Sequence, residues 1–404
     1  MIRSHVIRLD PTCAQEEFFR QCVGTARFAW NWALNEWRSQ YAEGLKPNAW
    51  DLHAKLNAVK RELFPWMYEV PKRVVQQALD NLGTAYNNFF ASVKGKRKGS
   101  KVNAPDWKAK GKCRESARLD NGPMQFDGKR VKLPKIGWVK TFHELRFAGR
   151  IIAATLSFYG DRWWLSVNVE LPDVEKVVNP KSCVGIDLGL TTAVTLSTGE
   201  KFEAPKPLKG ALKKLRRLNK SLSRKVKGSQ NRKKAATKLS RLHFRIGCIR
   251  KDWQHKLTSS IAKRFSLVCV ESLNVKGMMA NHSLARAISD VGWGEISRQI
   301  SYKCDAVQEV GRFYPSSKTC YACGYVIDKL SLSDRSWGCP NCGRTHDRDT
   351  NASLNIREEG IRLFRLVRPD SKVCGVEGSG PNRKIETKPL TLKQKLHLAL
   401  AGKK

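Results

Sequence analysis

Three acidic residues stand beside apolar segments that lie far apart in the chain. Asp187 ends the run Cys183–Asp187, Glu271 ends the run Leu267–Glu271, and Asp349 opens a helical segment. Desolvating an unpaired carboxylate is costly unless a positive charge compensates it. If the two runs are neighbouring strands, the three carboxylates can converge at one sheet edge. Such a set can hold two Mg²⁺ or Mn²⁺ ions about 4 Å apart, an arrangement that hydrolyses phosphodiesters.

Each acid also has a simpler interpretation. Asp187 can be a solvated residue in the turn before Gly189. Asp347 and Asp349 both precede a helical pattern, and Asp is a preferred helix N-cap. Both kinds of interpretation stay open at the level of the single residue.

Four cysteines form the strongest local pattern. Cys320-x-x-Cys323 and Cys339-x-x-Cys342 are separated by fifteen residues, and each pair is followed by Gly. Four thiolates at this spacing can close a tetrahedral Zn²⁺ site. A closed site has no open coordination position, so we predict structural zinc. A disulfide pair or a redox-active thiol is the alternative.

The segments around the acids predict an α/β region. Cys183–Asp187 is followed by a second strand through Ala193–Leu196 and a third beginning near Lys201. A later helix is predicted to begin near Ser289 and Asp290, and another follows Asp349.

The first 180 residues have a different organisation. Residues 1–10 predict a strand, and helical patterns follow, one of them beginning at Pro71. Beyond residue 130 the pattern alternates, with a hairpin turn at Gly160-Asp161. This order predicts a small antiparallel barrel or sandwich, with the helical region inserted after its first strand. Asn179-Pro180 marks its end.

Two features of the helical region could contact nucleic acid. Lys72 and Gln76 share one helix face, and these side chains can read bases or bind phosphate in a major groove. A solvated polar face is the alternative. An aromatic stripe is interpreted as core packing in preference to base stacking, and it consists of Phe28, Trp30, Trp32 and Trp37.

The charge points to a polyanionic partner. The formal net charge is +39, from 75 Lys and Arg against 36 Asp and Glu. Between Glu203 and Asp252 there is no acidic residue, whereas Lys and Arg occur 18 times. Leucine stripes there predict two antiparallel helices with basic outer faces that follow phosphates.

Membrane insertion is not predicted. The sequence has no apolar run near the ~20 residues that span a bilayer and no signal-peptide segment after Met1. Eight of the twelve cysteines are scattered singly, which is typical of a reducing compartment. We therefore expect a soluble protein of the prokaryotic cytoplasm.

The order of these motifs resembles the TnpB family of transposon-encoded RNA-guided DNA endonucleases, relatives of the type V CRISPR effectors. The motifs are Gly185-Ile186-Asp187-Leu188-Gly189, Val270-Glu271-Ser272-Leu273, the four-cysteine ribbon preceded by Tyr314-Pro315-Ser316-Ser317-Lys318-Thr319, and Asp347-Arg348-Asp349-x-Asn351-Ala352. The resemblance implies a split RuvC nuclease of RNase H-like fold with Asp187, Glu271 and Asp349 as catalytic metal ligands. It selects Asp349 over Asp347.

The resemblance also implies a domain plan for an α/β multidomain protein. Residues 1–10 and 112–180 would form a β-barrel wedge domain, and 11–111 a helical recognition domain. Residues 181–318 and 346–368 would form the nuclease, with 204–258 as the basic helical pair. Residues 319–345 would be the zinc ribbon, and 369–404 a largely disordered tail.

A guide RNA from the transposon end and double-stranded target DNA are the implied partners. Pairing with the guide would read the sequence, while the protein would read a short flanking motif. A monomeric ribonucleoprotein is favoured, with the oligomeric state open. Candidate contacts are Lys72 and Gln76 at the flanking motif and, on the basic helices, Lys213, Arg217, Arg224 and Lys234.

Three alternatives are kept. The first is an RNA-guided DNA-binding repressor with an inactive nuclease, against which all three acids argue. The second is a guide-independent RuvC-type nuclease of the Holliday-junction kind. The third, a transposase that joins strands itself, lacks its expected His-hydrophobe-His and tyrosine pattern.

Overall fold

The computed structural model describes residues 1–97, 99–119, 124–172, 182–331 and 333–368. These residues form two compact units, which we describe separately. The first contains the described residues up to 172 together with 236–241, and the second contains 182–235 and 242–368. The predicted tail at 369–404 and the predicted break at Asn179-Pro180 lie outside the described residues.

The first unit begins with a strand and a helical insertion. Strand β1 (Ile2–Asp10) is followed by α1 (Cys13–Ala42), α2 (Ala49–Leu63) and α3 (Lys72–Val93). Thr12 caps α1 in a capping box with Gln15. The aromatic stripe is largely in the helical core, since Trp30 and Trp37 are buried and Phe28 and Trp32 pack against that cluster. The core-packing interpretation is confirmed.

Six further strands complete this unit. They are β2 (Glu115–Leu119), β3 (Phe126–Asp127), β4 (Arg130–Leu133), β5 (Gly137–Thr141), β6 (Arg150–Tyr159) and β7 (Arg162–Glu170). The predicted hairpin is confirmed: Gly160 and Asp161 form the β6–β7 turn with positive φ angles of 63° and 62°.

These strands form one antiparallel sheet in the order β2-β6-β7-β1-β5-β4-β3. Strand β1 pairs with β7 over most of its length and with β5 at its end. Within the described residues the end strands β2 and β3 do not pair with each other, so the predicted barrel is not closed there. One hydrophobic cluster nevertheless receives side chains from both halves of the sheet and from α1 and α3.

The second unit is α/β, as the sequence predicts. In chain order its elements are β8 (Cys183–Asp187), β9 (Val194–Leu196), β10 (Lys201–Phe202), α4 (Pro207–Ser223), α5 (Gln230–Arg264, except residues 236–241), β11 (Leu267–Glu271), α6 (Val275–Met278), α7 (His282–Val291), α8 (Trp293–Lys303), β12 (Ala306–Val310), β13 (Ser336–Gly338), β14 (Thr345–Asp347) and α9 (Arg348–Val367).

The main sheet of this unit has five strands in the order β10-β9-β8-β11-β12. Strands β8, β11 and β12 run parallel, and β9 and β10 are antiparallel. One face packs against α5, α7 and α8, and the other packs against α9. The two hydrophobic layers therefore enclose the strands that carry the predicted acids.

Two details differ from the sequence predictions. Ser289 and Asp290 lie within α7, and the next helix begins only at Trp293, because Gly292 adopts a left-handed φ of 74°. In the basic helices the leucine stripe of α4 is at least half-buried, whereas the apolar stripe predicted for α5 is interrupted at Ile249, which is 40% exposed. That stripe consists of Leu239, Leu242, Ile246, Ile249, Trp253 and Leu257. No helix among the described residues is both long and apolar enough to cross a lipid bilayer.

Candidate functional site

Asp187 and Glu271 end neighbouring parallel strands. The β8–β11 register pairs Ile186 with Val270, so the two acids are the next residues of their strands, at the same sheet edge. Side chains alternate between the faces of a strand. The alternation places Asp187 and Glu271 on the face of Cys269, which packs against α9. The predicted convergence of these two acids at one edge is confirmed.

Helix α9 brings the third acid to this edge. A Cβ atom added to Gly185 would lie 2.0 Å from the carbonyl oxygen of Ser353 and 2.6 Å from the amide nitrogen of Arg357. Only glycine allows such a close approach between backbones. Ser353 lies four residues after Asp349, about 6 Å along the helix axis, and Gly185 lies two residues, or about 7 Å, before Asp187. The contact therefore places the first turn of α9 beside the end of β8.

The charges of two of these carboxylates act on the third, Asp187. Burial, together with the nearby charges of Asp349 and Glu271, raises the pKa of Asp187 to about 7 against the opposing effect of Arg348. Burial also raises the pKa of Glu271. Desolvation and like-charge repulsion both disfavour ionised carboxylates, and a bound cation would relieve both.

Asp347 and Asp349 have different local roles. Asp347 is the N-cap of α9, where its Oδ1 accepts hydrogen bonds from the Thr350 amide (2.9 Å) and hydroxyl (2.8 Å). Its Oδ2 accepts from Lys201 at 2.8 Å. Burial acts to raise the pKa of Asp347, but these hydrogen bonds outweigh it and the pKa is lowered. The N-cap interpretation is confirmed for Asp347 and is wrong for Asp349.

Asp349 lies in the first turn of α9, and its carboxylate lies near Arg335 and does not cap the helix. Its Oδ1 lies 3.7 Å from the guanidinium of Arg335. Arg335 also donates to the Thr191 hydroxyl at 3.3 Å, in the loop that follows β8. Arg335 could not be predicted from the sequence, because nothing in its spacing indicates that the segment before β13 reaches this edge.

A tryptophan holds the loop that leaves Asp187. The indole Nε1 of Trp293 donates to the carbonyl of Gly189 at 3.1 Å. A Cβ atom on Gly189 would lie 2.5 Å from the Thr192 carbonyl oxygen, so this turn is closely packed. The contact joins the start of α8 to the loop after β8.

The four predicted cysteines form a cluster. Their sulfur atoms all lie within 4.8 Å of one another, and among the described residues this is the only set of three or more His, Cys, Asp or Glu ligand atoms that meets this limit. Burial raises the pKa of Cys320 to about 12, whereas hydrogen bonds from the Asn341 side chain and the Tyr325 backbone lower that of Cys323 to about 6. A four-thiol cluster of this size fits the predicted zinc ion.

Comparisons with known proteins identify the family. The chain is 34% identical to a protein of Streptomyces pristinaespiralis described as "Putative RNA-guided DNA endonuclease", over 99% of this chain and 98% of that one. The chain belongs to the TnpB family. An Escherichia coli K12 member, "Putative RNA-guided DNA endonuclease InsQ", is 32% identical over 89% of this chain and 92% of its own length.

Family models match successive parts of this TnpB chain. Residues 166–282 match the model "Probable transposase", and residues 293–356 match "Cas12f1-like, TNB domain". Residues 1–46 match a model described as a helix-turn-helix domain, but here they contain strand β1 and the single helix α1. A solved "Cas12f1-sgRNA-target DNA complex" has a TM-score of 0.49 at 15% identity, covering 86% of this chain and 83% of that one.

The basic side chains predicted for nucleic-acid binding in this TnpB chain are accessible. Lys213, Arg217, Arg224 and Lys234 are all exposed. None of the four forms an ion pair with another residue in the described part of the chain. In contrast, Arg232 is used internally, where it donates to the Leu222 and Lys225 carbonyls and ties α5 to the end of α4.

The predicted pair on α3 differs in exposure. Lys72 is exposed and Gln76 is half-buried. A cavity of about 200 Å³ lies beside the same helix, and its lining includes the polar or basic residues Arg27, Gln77, Asn81, Arg114 and Arg118. Sequence reasoning missed this surface, because it is assembled from α1, α3 and the segment around β2.

Proposed function

We propose that this TnpB chain is an RNA-guided DNA endonuclease of a transposon that cleaves target DNA beside a short flanking motif. The observation that carries the proposal is that Asp187 and Glu271 end neighbouring strands at one sheet edge, beside the helix turn that carries Asp349, whose charge contributes to the raised pKa of about 7 at Asp187. The names of the relatives support the same activity.

The residues at the edge suit metal-dependent hydrolysis. Asp187, Glu271 and Asp349 would hold Mg²⁺ or Mn²⁺, since carboxylate oxygens are the ligands these hard cations prefer. When bound, the two ions activate a water molecule and stabilise the leaving oxygen of a phosphodiester. Arg335 and Arg348 partly balance the acidic charge before the ions bind. In-line attack would leave a 5′-phosphate and a 3′-hydroxyl.

The nuclease part of the proposal is a RuvC domain of RNase H-like fold. The strand order β10-β9-β8-β11-β12, with three parallel central strands, supports it. The predicted boundaries are retained, with the nuclease at 181–318 and 346–368 and the ribbon at 319–345. Residues 1–10 and 112–180 would be the wedge domain. Its seven-stranded sheet would curve into the predicted barrel. Residues 11–111 would be the recognition domain.

A guide RNA and double-stranded DNA are the proposed partners. The exposed side chains of Lys213, Arg217, Arg224 and Lys234, which form no ion pair within the described part of the chain, support contact with phosphates of the guide and target duplex. The guide would come from the transposon end, and the protein would act as a monomeric ribonucleoprotein. Zn²⁺ would be held by Cys320, Cys323, Cys339 and Cys342.

Neighbouring substitutions test the assignment of the acids. Each of three substitutions should lower the DNA cleavage rate by more than ~100-fold: Asp187→Asn, Glu271→Gln and Asp349→Asn. This loss exceeds the one typical for a residue that only hydrogen-bonds to a metal ligand. Nucleic-acid binding should stay within a few-fold, because little packing is removed. Asp347→Asn is the matched control, since Asn can still cap α9, and it should cleave within a few-fold of wild type. Wild-type cleavage by Asp349→Asn would overturn the assignment.

The same assay separates the alternatives. A repressor with an inactive nuclease would bind its target through the RNA and leave it intact in the presence of Mg²⁺. A guide-independent nuclease would cleave equally well after its RNA is removed. We expect cleavage that requires both the RNA and the three acids.

A further inference from the structure

Two buried asparagines attach the first cysteine pair to α9. Asn351 accepts a hydrogen bond from the Tyr321 amide at 3.0 Å and donates to the Thr319 carbonyl at 2.7 Å. Asn355 donates to the same Thr319 carbonyl at 2.6 Å and to the Ser316 carbonyl at 2.9 Å. Both side chains are at most 2% exposed. The backbone on each side of Cys320 is therefore fixed to the first two turns of α9.

This placement of asparagine is unusual on physical grounds. Asn is unfavourable in helix interiors because its side chain competes for backbone hydrogen bonds. Burying its amide also costs free energy unless partners satisfy it. Here the partners are the backbone groups of Ser316, Thr319 and Tyr321, the last two of which flank Cys320, while the Oδ1 of Asn355 is buried without a partner among the described residues. The two amides therefore link α9 specifically to the cluster.

A second connection reaches α9 from its N-terminal side. His346 Nε2 lies 3.0 Å from Cys320 Sγ, and its ring packs against Trp337 with centroids 5.0 Å apart. The Arg348 amide donates to the Arg335 carbonyl at 2.9 Å, and the Arg335 guanidinium lies 3.7 Å from Asp349. The first turn of α9 is thus connected to the ribbon both before and after Asp349.

We propose that Asn351 and Asn355 are positioning residues through which zinc in the four-cysteine cluster fixes the location of Asp349. The inference rests on the proposed function, in which Asp349 is a ligand of the catalytic ions. The cluster has a small core of its own, formed by Cys320, Trp337 and Cys339 with a few half-buried neighbours. Such a core is too small to order the ribbon without a metal, so the segment Thr319–Tyr321 loses its fixed geometry when zinc leaves.

Metal loading of an Asn355→Leu variant tests the link. Leu has the same branched shape and favours the helix, but it is bulkier than Asn and removes both donated hydrogen bonds. The variant should keep one zinc per chain, while Mn²⁺ affinity at the acids, measured by electron paramagnetic resonance with Asp187→Asn as the baseline, falls at least ~10-fold. Hydrogen exchange at residues 349–353 should accelerate by a similar factor. Arg365→Gln, an exposed position on the same helix, should change neither quantity.

Unchanged Mn²⁺ affinity and unchanged exchange in a zinc-loaded Asn355→Leu protein would overturn the inference. If this variant does not fold, wild-type protein stripped of zinc decides instead. Exchange should then accelerate at residues 349–353 but not in the last turn of α9, and equal protection with and without zinc would overturn the proposal. These readings need no guide or target. Failure of wild-type protein to bind Mn²⁺ through Asp187 would therefore count against the proposed function, and the exchange comparison would still decide the link.

Discussion

At the scale of single residues, Asp187 is an acid whose surroundings oppose its charge. It follows a fully buried stretch of β8, and both burial and two neighbouring carboxylates raise its pKa to about 7. A carboxyl with a folded-state pKa above its ordinary value of 3.8 destabilises the folded chain as pH rises, because the unfolded chain ionises more easily. The metal-free site therefore carries a stability cost that bound cations would relieve.

Asp187→Asn should stabilise the magnesium-free protein. The increase in thermal midpoint should be at least ~2 °C at about pH 8, corresponding to at least ~1 kcal/mol, and should fade as the pH falls below about 3, where the acid is protonated in both states. Differential scanning calorimetry on zinc-loaded protein without magnesium measures it. Asp252→Asn, at an exposed position on α5, is the control and should leave the midpoint unchanged. A lower midpoint for Asp187→Asn at about pH 8 would contradict this account of the site.

At the scale of elements, the contact between β8 and α9 sets the position of the third acid. Gly185 meets the backbone of α9 directly, and Gly360 of α9 meets Cys269 of β11, where an added Cβ atom would lie 2.4 Å from the sulfur. Gly185 and Cys269 are themselves register partners. The helix therefore crosses two neighbouring strands at points where a side chain would displace it.

Gly185→Ala should push α9 away from the sheet. We expect a loss of about 1 to 3 kcal/mol in the free energy of unfolding, typical of overpacking, together with a fall in cleavage larger than the fall in nucleic-acid binding. Urea unfolding and cleavage assays measure the two effects. Gly247→Ala is the matched control, because the added methyl group on α5 enters open space and should leave both unchanged or raise stability slightly. Wild-type stability in Gly185→Ala would show that the close approach is not required.

The zinc ribbon gives a second prediction at this scale. Cys320→Ser should reduce the zinc content from one ion per chain to a small fraction and lower solubility or the thermal midpoint, because the metal supplies folding energy. Elemental analysis of purified protein measures the ion. Cys13→Ser, an exposed position in α1, should keep full zinc content. If purified wild-type protein contained no zinc, the assignment of the four cysteines as zinc ligands would be wrong.

At the scale of the whole molecule, the net charge of +39 requires a polyanion. The log–log dependence of RNA affinity on salt should have a slope of about −6 to −10 if ~6 to 10 phosphates are neutralised. Replacing Lys213, Arg217, Arg224 and Lys234 by Ala together should make the slope shallower by about 3 to 4. Lys256→Ala on the same helix pair, where Lys256 already pairs with Asp252, is the control. An unchanged slope in the fourfold variant would show that these four side chains do not contact the RNA phosphates.

Parts of this organisation could be predicted from the sequence, and others could not. The buried runs that end in Asp187 and Glu271 are local patterns, and the cysteine spacing defines its own cluster. The close packing of α9 against Gly185 depends on a long-range contact that no local sequence pattern indicates. The open order of the seven-stranded sheet and the break at Gly292 likewise follow from tertiary packing and backbone geometry.

Reprogrammed cleavage is the most direct test of the central claim. The protein would be expressed with its flanking locus, purified at high salt, and its bound RNA sequenced. The variable end of that RNA would then be replaced so that it matches a new DNA site beside the same flanking motif. We expect one abundant bound RNA. We also expect Mg²⁺-dependent cleavage that moves to the new site and disappears in Asp187→Asn. A mixture of host RNAs, with cleavage that ignores the replaced sequence, would contradict it.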